Sequence, residues 1–372
     1  MGFCTFGGMK VVVNARWLLP GKLEGTGMYT LRMLEHITAQ RSDIEFVLLY
    51  DRPSTAKHPL LQGDNIKHRV VFPPARHPLL WHLWNRWAVP RALWKERADL
   101  YWSPDGLPAQ TSAKQWVTIH DLNFEHHPEW LKSNVARYYQ REIRRAALEA
   151  QQLFTVSEWS RKDIAERYGV PFERILLTPN ASGREFQPGP VERQPYFCAV
   201  GAMTPRKNLQ TLLRAFDQFK SRPGMDRYTL KIAGEAHFKD AALEAVYAGM
   251  AHGGSVEFLG RLSERELESL YQNATAFCMP SAMEGFGIPV IEAMQCGTAV
   301  ISADNSALSE VVKGVGVLVD TYDVAAWAEA MAEMTTGHKR WREVGMARST
   351  EYSWKQSAEQ LVAQLPLKQV RR

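Results

Sequence analysis

Short apolar runs rich in β-branched and aromatic residues alternate along this chain with stretches of helical periodicity, and the series is played through twice. In the first half the runs are Val11–Asn14, Glu45–Tyr50, Lys67–Phe72, Leu100–Trp102, Trp116–Ile119 and Leu153–Val156, with helical patterns over Gly27–Thr38, Asn134–Ala150 and Ser157–Tyr168. In the second they are Tyr196–Val200, Thr229–Ala233, Val256–Leu259, Thr275–Met279, Ala299–Ser302 and Gly316–Val319, with helices over Asn208–Lys220 and Ser263–Gln272. Strands alternating with helices call for a parallel, doubly wound α/β sheet. Between the halves lies Phe186–Pro195, which has three prolines, one glycine and no apolar period, the composition of a linker. A chain of 372 residues is long enough for two domains. We therefore expect two Rossmann-like domains, 9–187 and 188–372, with a ligand cleft between them. Strand-end loops are then the places to look for chemistry.

Other classes are disfavoured. No apolar run approaches the ~18–20 residues that span a bilayer. The start lacks a basic segment followed by an apolar one, as a secretory signal would have. Cys4, Cys198, Cys278 and Cys296 are scattered without a CxxC pair, and Cys198 and Cys278 fall in apolar runs. A reducing, cytoplasmic setting and no structural metal are the expectation. Met1–Gly8 has the look of an appended leader, so translation starts at Met1 or at Met9. Charge is uneven: 25 Lys and Arg face 19 Asp and Glu up to Glu185, against 20 and 21 beyond it. The basic first half suits an acidic partner, such as an anionic membrane surface or a lipid phosphate. The excess is modest and no nucleic-acid reader motif accompanies it, so nucleic acid is not expected.

The richest local signal is Glu284-Gly285-Phe286-Gly287-Ile288-Pro289-Val290-Ile291-Glu292. It follows the apolar run ending at Pro280 and opens a helical pattern that Gly297 stops. Pro289 suits the first helical position, and Glu292 would fall in the first turn, where the helix dipole favours a carboxylate. Gly285 and Gly287 let backbone N–H groups come close to an anion. Such a loop suits a phosphorylated, hydroxyl-rich ligand. A glutamate in a first turn and glycine or proline at a strand–helix junction are also ordinary, so the residues alone leave both readings open.

Three further loops stand at strand ends. The turn Pro20–Tyr29 carries Gly25 and Gly27 and opens a helix, able to present amides to a phosphate or to be a plain flexible loop. His120 ends the run Trp116–Ile119, where it could orient a sugar hydroxyl, move a proton or serve structure alone. Asp121, Glu125, His126 and His127 lie near it but match no metal-ligand spacing, and His126 and His127 are expected at the surface. After Val200 comes Gly201-Ala202-Met203-Thr204-Pro205-Arg206-Lys207-Asn208, whose basic pair at a helix entry opposes the dipole and calls for a compensating anion. Finally, the stretch Arg76–Arg97 interleaves Trp, Leu and basic residues. We expect its Trp face in the first domain's core with the arginines outside; docking on an anionic membrane is the alternative.

Together these loops resemble the retaining GT-B glycosyltransferases of family 4. The likeness runs through nearly the whole chain after Met9. It rests on the Glu-x7-Glu stretch in the form Pro280-Ser281-Ala282-Met283-Glu284-Gly285-Phe286-Gly287, on Thr155-Val156-Ser157-Glu158-Trp159-Ser160 followed by Thr178-Pro179-Asn180, on Gly201–Asn208 and on Tyr352-Ser353-Trp354. The resemblance implies that Glu292 holds the ribose of a nucleotide sugar and Glu284 a hydroxyl of its hexose, with amides of Gly285, Phe286 and Gly287 lining the sugar pocket. Arg206 and Lys207 would neutralise the pyrophosphate, assisted by the Gly25–Gly27 loop, while His120 would contact the transferred sugar. Many members carry Arg directly after the glycine at 201; here Ala202 stands there, and Arg206 is expected to supply that charge. The family also often returns its last helix, here Ser353–Gln364, to the first domain.

The resemblance thus implies a metal-independent, cofactor-free hexosyltransferase of polysaccharide synthesis. It would use a nucleotide-diphosphate sugar, with mannose as the first guess, and a lipid-linked or oligosaccharide acceptor; the basic first half and the Trp–Arg stretch, apart from the resemblance, suggest peripheral association with an anionic membrane. The rivals are a catalytically silent nucleotide-sugar-binding scaffold and a nucleotide-sugar epimerase on the same fold.

Overall fold

A computed structural model of the chain describes residues 8–19, 23, 25–53, 58–75, 77–235 and 241–366. Of the Met1–Gly8 leader only Gly8 falls among them, and Cys4 lies outside, as do Pro20, Gly21, Lys22 and Glu24 of the first glycine-bearing loop. By its internal contacts the chain divides into two units: one runs to Asn180 and takes in the chain from Ser353, and the other is Ala181–Tyr352.

The first unit is built on seven parallel strands, β1 (Lys10–Asn14), β2 (Glu45–Tyr50), β3 (Ile66–Val70), β4 (Leu100–Ser103), β5 (Lys114–Thr118), β6 (Gln152–Thr155) and β7 (Ile175–Leu177), in the order β3-β2-β1-β4-β5-β6-β7. Helices cover its faces, so central strands are apolar throughout instead of alternating; every residue of β2 is buried. The edge strand β3 instead exposes Lys67 and Arg69, charges that discourage further pairing. Strand β7 has only three residues, too short for a periodic signal, and sequence reasoning missed it.

The second unit repeats the plan with β8 (Gln194–Val200), β9 (Thr229–Ala233), β10 (Val256–Gly260), β11 (Ala274–Met279), β12 (Ala299–Ala303) and β13 (Val317–Val319), ordered β10-β9-β8-β11-β12-β13. In each sheet the chain order reverses once, between β1 and β4 and between β8 and β11. Ligands of such sheets bind beyond the carboxyl ends of the strands at that reversal.

The expected linker is tied to the second unit. Phe186 is buried against the Tyr271 ring, and the Gly189 N–H donates to the Cys296 carbonyl at 3.0 Å. A Cβ on Gly189 would lie 2.4 Å from the Gln272 carbonyl oxygen, which is why this turn carries glycine. The contact division accordingly falls at 180/181, ahead of the 187/188 boundary drawn from composition. The last helix, Trp354–Val362, belongs to the first unit: the Trp354 ring meets Tyr29 edge-on at 6.0 Å, and Ser357 Oγ donates to the Pro179 carbonyl at 2.6 Å.

The Trp–Arg stretch does not put all its rings inside. It is helical over Pro78–Leu83 and Val89–Glu96, joined by a wide π turn over Trp84–Ala88. Pro90 lacks the N–H that a regular helix would donate one turn back, and its ring crowds that turn; the wide turn accommodates both. Trp84, Val89 and Leu93 are buried, whereas Trp87 and Trp94 are exposed. The expectation of a Trp face packed in the core is corrected for those two rings. Among the described residues no helix is long and apolar enough to cross a membrane.

Candidate functional site

The reversal between β8 and β11 gathers the residues that sequence reasoning singled out in the second unit. Strand β8 runs into Gly201, whose φ of +143° suits glycine and whose open side receives the Lys207 chain; a Cβ there would sit 2.8 Å from Lys207 Cε. Pro205–Lys207 form a single 3-10 turn, and Asn208, at φ +48°, starts the helix Leu209–Lys220. The Asn208 side-chain amide donates to the carbonyls of Pro280 at 3.1 Å and Thr321 at 2.9 Å, while the Ala282 N–H donates to the Arg206 carbonyl at 2.8 Å. These bonds lock the loop after β8 to the loops after β11 and β13.

Glu284 is the anion that the basic pair calls for. Its carboxylate, 8% exposed, takes Lys207 Nζ on Oε1 at 2.7 Å and Arg206 Nη1 on Oε2. Burial alone would raise this carboxyl, but the two neighbouring cations outweigh burial and hold it down at about 2. Burial lowers the Lys207 ammonium, and the Glu284 charge only partly offsets that. The cluster carries two positive charges against one negative. The loop that presents Glu284 is fixed from behind, since its N–H donates to Ser306 Oγ at 3.0 Å.

Phe286 is buried, its ring edge-on to Tyr352 at 5.0 Å, so its side chain serves the core. Gly287 caps the next helix at φ +106°, and a Cβ there would meet Leu308 at 2.8 Å. That helix is Ile288–Gln295, with Pro289 as its second residue. Glu292 is consequently its fifth residue, beyond the first turn, and the dipole argument for its placement is corrected. Its carboxylate, 3% exposed, is held instead by Arg184 Nη1 on Oε1 at 2.7 Å and by the Tyr271 hydroxyl on Oε2 at 3.2 Å. Burial pushes the Glu292 carboxyl up, and Arg184 and Tyr271 only partly bring it back. Sequence reasoning missed both partners. Arg184 stands four residues past the Thr178–Asn180 motif, the one local hint; Tyr271 lies on a helical face with nothing to mark it.

In the first unit His120 follows β5, and its Nε2 donates to the Pro104 carbonyl at 2.8 Å, which leaves Nδ1 as the acceptor nitrogen. Burial lowers its pKa, and its ring stands edge-on to Tyr29 at 5.0 Å. Gly25 and Gly27 fall inside the first turn of the helix Gly25–Gln40. Gly27 is buried, and a Cβ there would lie 2.6 Å from the Trp17 carbonyl oxygen, so close packing accounts for it. Asp121 takes the Asn123 N–H, Glu125 the Tyr168 hydroxyl, His126 pairs with Asp163 and His127 with Glu129, and Arg167 lies against both Glu125 and His126.

Two parallel sheets, each with a strand-order reversal, and a buried carboxylate paired with two cations at one of them define a doubly wound α/β architecture with a charged cluster where such sheets bind ligands. The comparisons make this specific. The family Glycosyl transferases group 1 matches residues 184–347, and Glycosyltransferase Family 4 matches residues 23–181. The O-antigen chain mannosyltransferase B of Escherichia coli is 27% identical over 364 residues, covering 91% of this chain and 95% of that protein. Sucrose-phosphate synthase from Thermosynechococcus elongatus has the same fold, with a TM-score of 0.75 at 18% identity, over 95% of this chain and 97% of that one. So does Anabaena Alr3699/HepE, solved in complex with UDP-glucose, with a TM-score of 0.70 at 17% identity, over 96% and 100% of the two chains. The chain belongs to the group 1, family 4 glycosyltransferases and has their GT-B fold.

Proposed function

We propose that this glycosyltransferase moves a hexose, with mannose as the first candidate, from a nucleotide-diphosphate sugar to a lipid-linked or oligosaccharide acceptor in cell-surface polysaccharide synthesis, with retention at the anomeric carbon. The similarity to an O-antigen chain mannosyltransferase supports the sugar and the pathway class. The observation that carries the reading is the Arg206–Glu284–Lys207 cluster at the β8/β11 reversal.

Negative charge builds on the departing nucleotide diphosphate as the glycosidic bond breaks, and fixed cations there stabilise the transition state without reorganisation. Lys207 and Arg206 fit that task. As they turn to the phosphates, the Glu284 carboxylate is released to accept hexose hydroxyls. In the second unit Glu292, held by Arg184 and Tyr271, keeps lone pairs for the ribose diol. Glu284 serves in this reading to hold the hexose, and the proton of the attacking acceptor hydroxyl goes elsewhere. The leaving phosphate takes that proton on the face it vacates, which gives retention. Neutral His120 faces the transferred sugar. Because side-chain cations neutralise the diphosphate, turnover proceeds without added metal, on the cytoplasmic side where nucleotide sugars are made.

The test is a thermal-shift panel of GDP, UDP, ADP and TDP sugars followed by turnover on saccharide and lipid-linked acceptors, with and without EDTA. A ligand bound only by the native state adds about 2.7 kcal/mol at 100 times its Kd. A shift with one base and transfer to an acceptor supports the reading. Binding without turnover returns the silent scaffold, and donor interconversion without acceptor returns the epimerase.

A further inference from the structure

We propose that the helical segment Leu79–Lys95 docks this protein on an anionic lipid surface. Four large apolar side chains emerge from it: Leu79 is 62% exposed, Leu83 37%, Trp87 65% and Trp94 78%. At ~100° per residue the spacing of Leu79, Leu83, Trp87 and Trp94 brings the four onto one face, while Trp84, Val89 and Leu93 stay buried. The Trp84 indole N–H donates to the Val71 carbonyl at 2.9 Å and pins the segment to the first unit. The outer rings therefore cannot turn inward without breaking the core.

Charge selects the partner. Arg86, Arg91 and Lys95 are exposed along the same segment, and no Asp or Glu occurs from His77 to Lys95. The Arg86 guanidinium lies 5.7 Å from the Trp87 ring centre, a cation and an indole side by side. Tryptophan settles at the headgroup level of bilayers, and basic residues beside it are drawn to anionic lipids. A helix with an apolar face and a basic flank lies in that interface. A second copy of the same face would bring like charges together, which disfavours self-association.

The surface is independent of the transfer reading, and the experiment uses no sugar nucleotide. The full chain is sedimented with phosphatidylglycerol–phosphatidylcholine vesicles and with pure phosphatidylcholine vesicles. Binding is expected on the anionic vesicles and should weaken as salt is raised. Trp87→Ser with Trp94→Ser should lower vesicle affinity about tenfold or more, at an unchanged melting temperature because both rings are exposed. Arg86→Gln with Arg91→Gln and Lys95→Gln, which leaves the rings in place, should remove the preference for anionic vesicles. No binding by the parent chain, or binding by both variants equal to the parent's, overturns the proposal. So does conversion of a dimer to a monomer by the tryptophan variant with vesicle binding intact, which would make this face a contact between copies.

Discussion

Both sheets place a carboxylate against cations where the strand order reverses, and the two clusters differ in how deeply they are sealed. In the first unit Asp105 takes Arg16 Nε at 2.6 Å, Asn14 Nδ2 at 3.0 Å, Trp17 Nε1 at 3.1 Å and Ser103 Oγ at 2.8 Å. Both side chains of that ion pair are 3% exposed, and the Arg16 guanidinium rests between the rings of Trp17 and Trp81. One positive charge meets one negative charge, with Arg16 Nη1 left buried and without a hydrogen-bond partner among the described residues. In the second unit Glu284 meets two cations, and the Arg206 side chain is 27% exposed. The first arrangement braces the ends of β1 and β4. The second holds surplus positive charge within reach of solvent, which a polyanion can claim. On the proposed reading the same topology serves structure at one reversal and chemistry at the other, and charge balance with access decides which.

The largest contrast should come from removing one partner at each reversal. Asp105→Ala leaves Arg16 charged and buried, and denaturant unfolding should show a loss of about 3–5 kcal/mol. A loss below ~1 kcal/mol would show that the first cluster is not a brace. Lys207→Ala leaves Arg206 on the Glu284 carboxylate, so it should cost less in unfolding than Asp105→Ala but reduce kcat about 10²–10³-fold, measured as sugar transfer at saturating donor. Near-normal turnover would take Lys207 out of the phosphate site and erase the contrast. Next in size, Glu292→Ala should weaken nucleotide-sugar binding by about 1.5–3 kcal/mol, the worth of hydrogen bonds to a charged group, as read by titration calorimetry.

The smallest effects concern pH, and the two glutamates should differ in sign. Glu284 is held below its ordinary value, so its stabilising contribution is present above about 4.5 and lost as pH falls toward about 2. Glu284→Gln should flatten that acid limb of the stability profile, and an unchanged limb would assign it to other carboxylates. Glu292 is held above its ordinary value, so its contribution is present at low pH and lost as pH rises through its folded value. Arg184→Gln should raise the Glu292 carboxyl further and shift the acid limb of donor KM upward, with kcat little changed. Arg184→Lys should restore part of that shift; an unmoved limb would leave Arg184 with a packing role only.

Legibility followed the range of the interaction. Strand ranges at Glu45–Tyr50 and Thr229–Ala233 coincide with the apolar runs, because a buried parallel strand is a local, continuous signal. The three residues of β7 carry too little of that signal to be seen. The loop residues Lys207 and Glu284 were named from their places at strand ends, but the ion pair joining them spans 77 positions and no local pattern announces it. Arg184 reaches Glu292 across 108 positions, so the assumption of a helix dipole filled the gap and put Glu292 in the first turn, one residue too early. In the Trp–Arg stretch the period sets Trp87 and Trp94 on a different face from Val89 and Leu93, but it cannot tell which face the first unit covers.

The sequence by itself determined the two α/β halves, the strand-end loops and the charged and glycine-bearing residues at those loops, since each follows from the period and composition of a few neighbouring residues. Only the tertiary structure decided which cation meets which carboxylate, which reversal is sealed and which tryptophans face out. Those outcomes depend on burial, and burial is set by segments that the chain brings together from far apart.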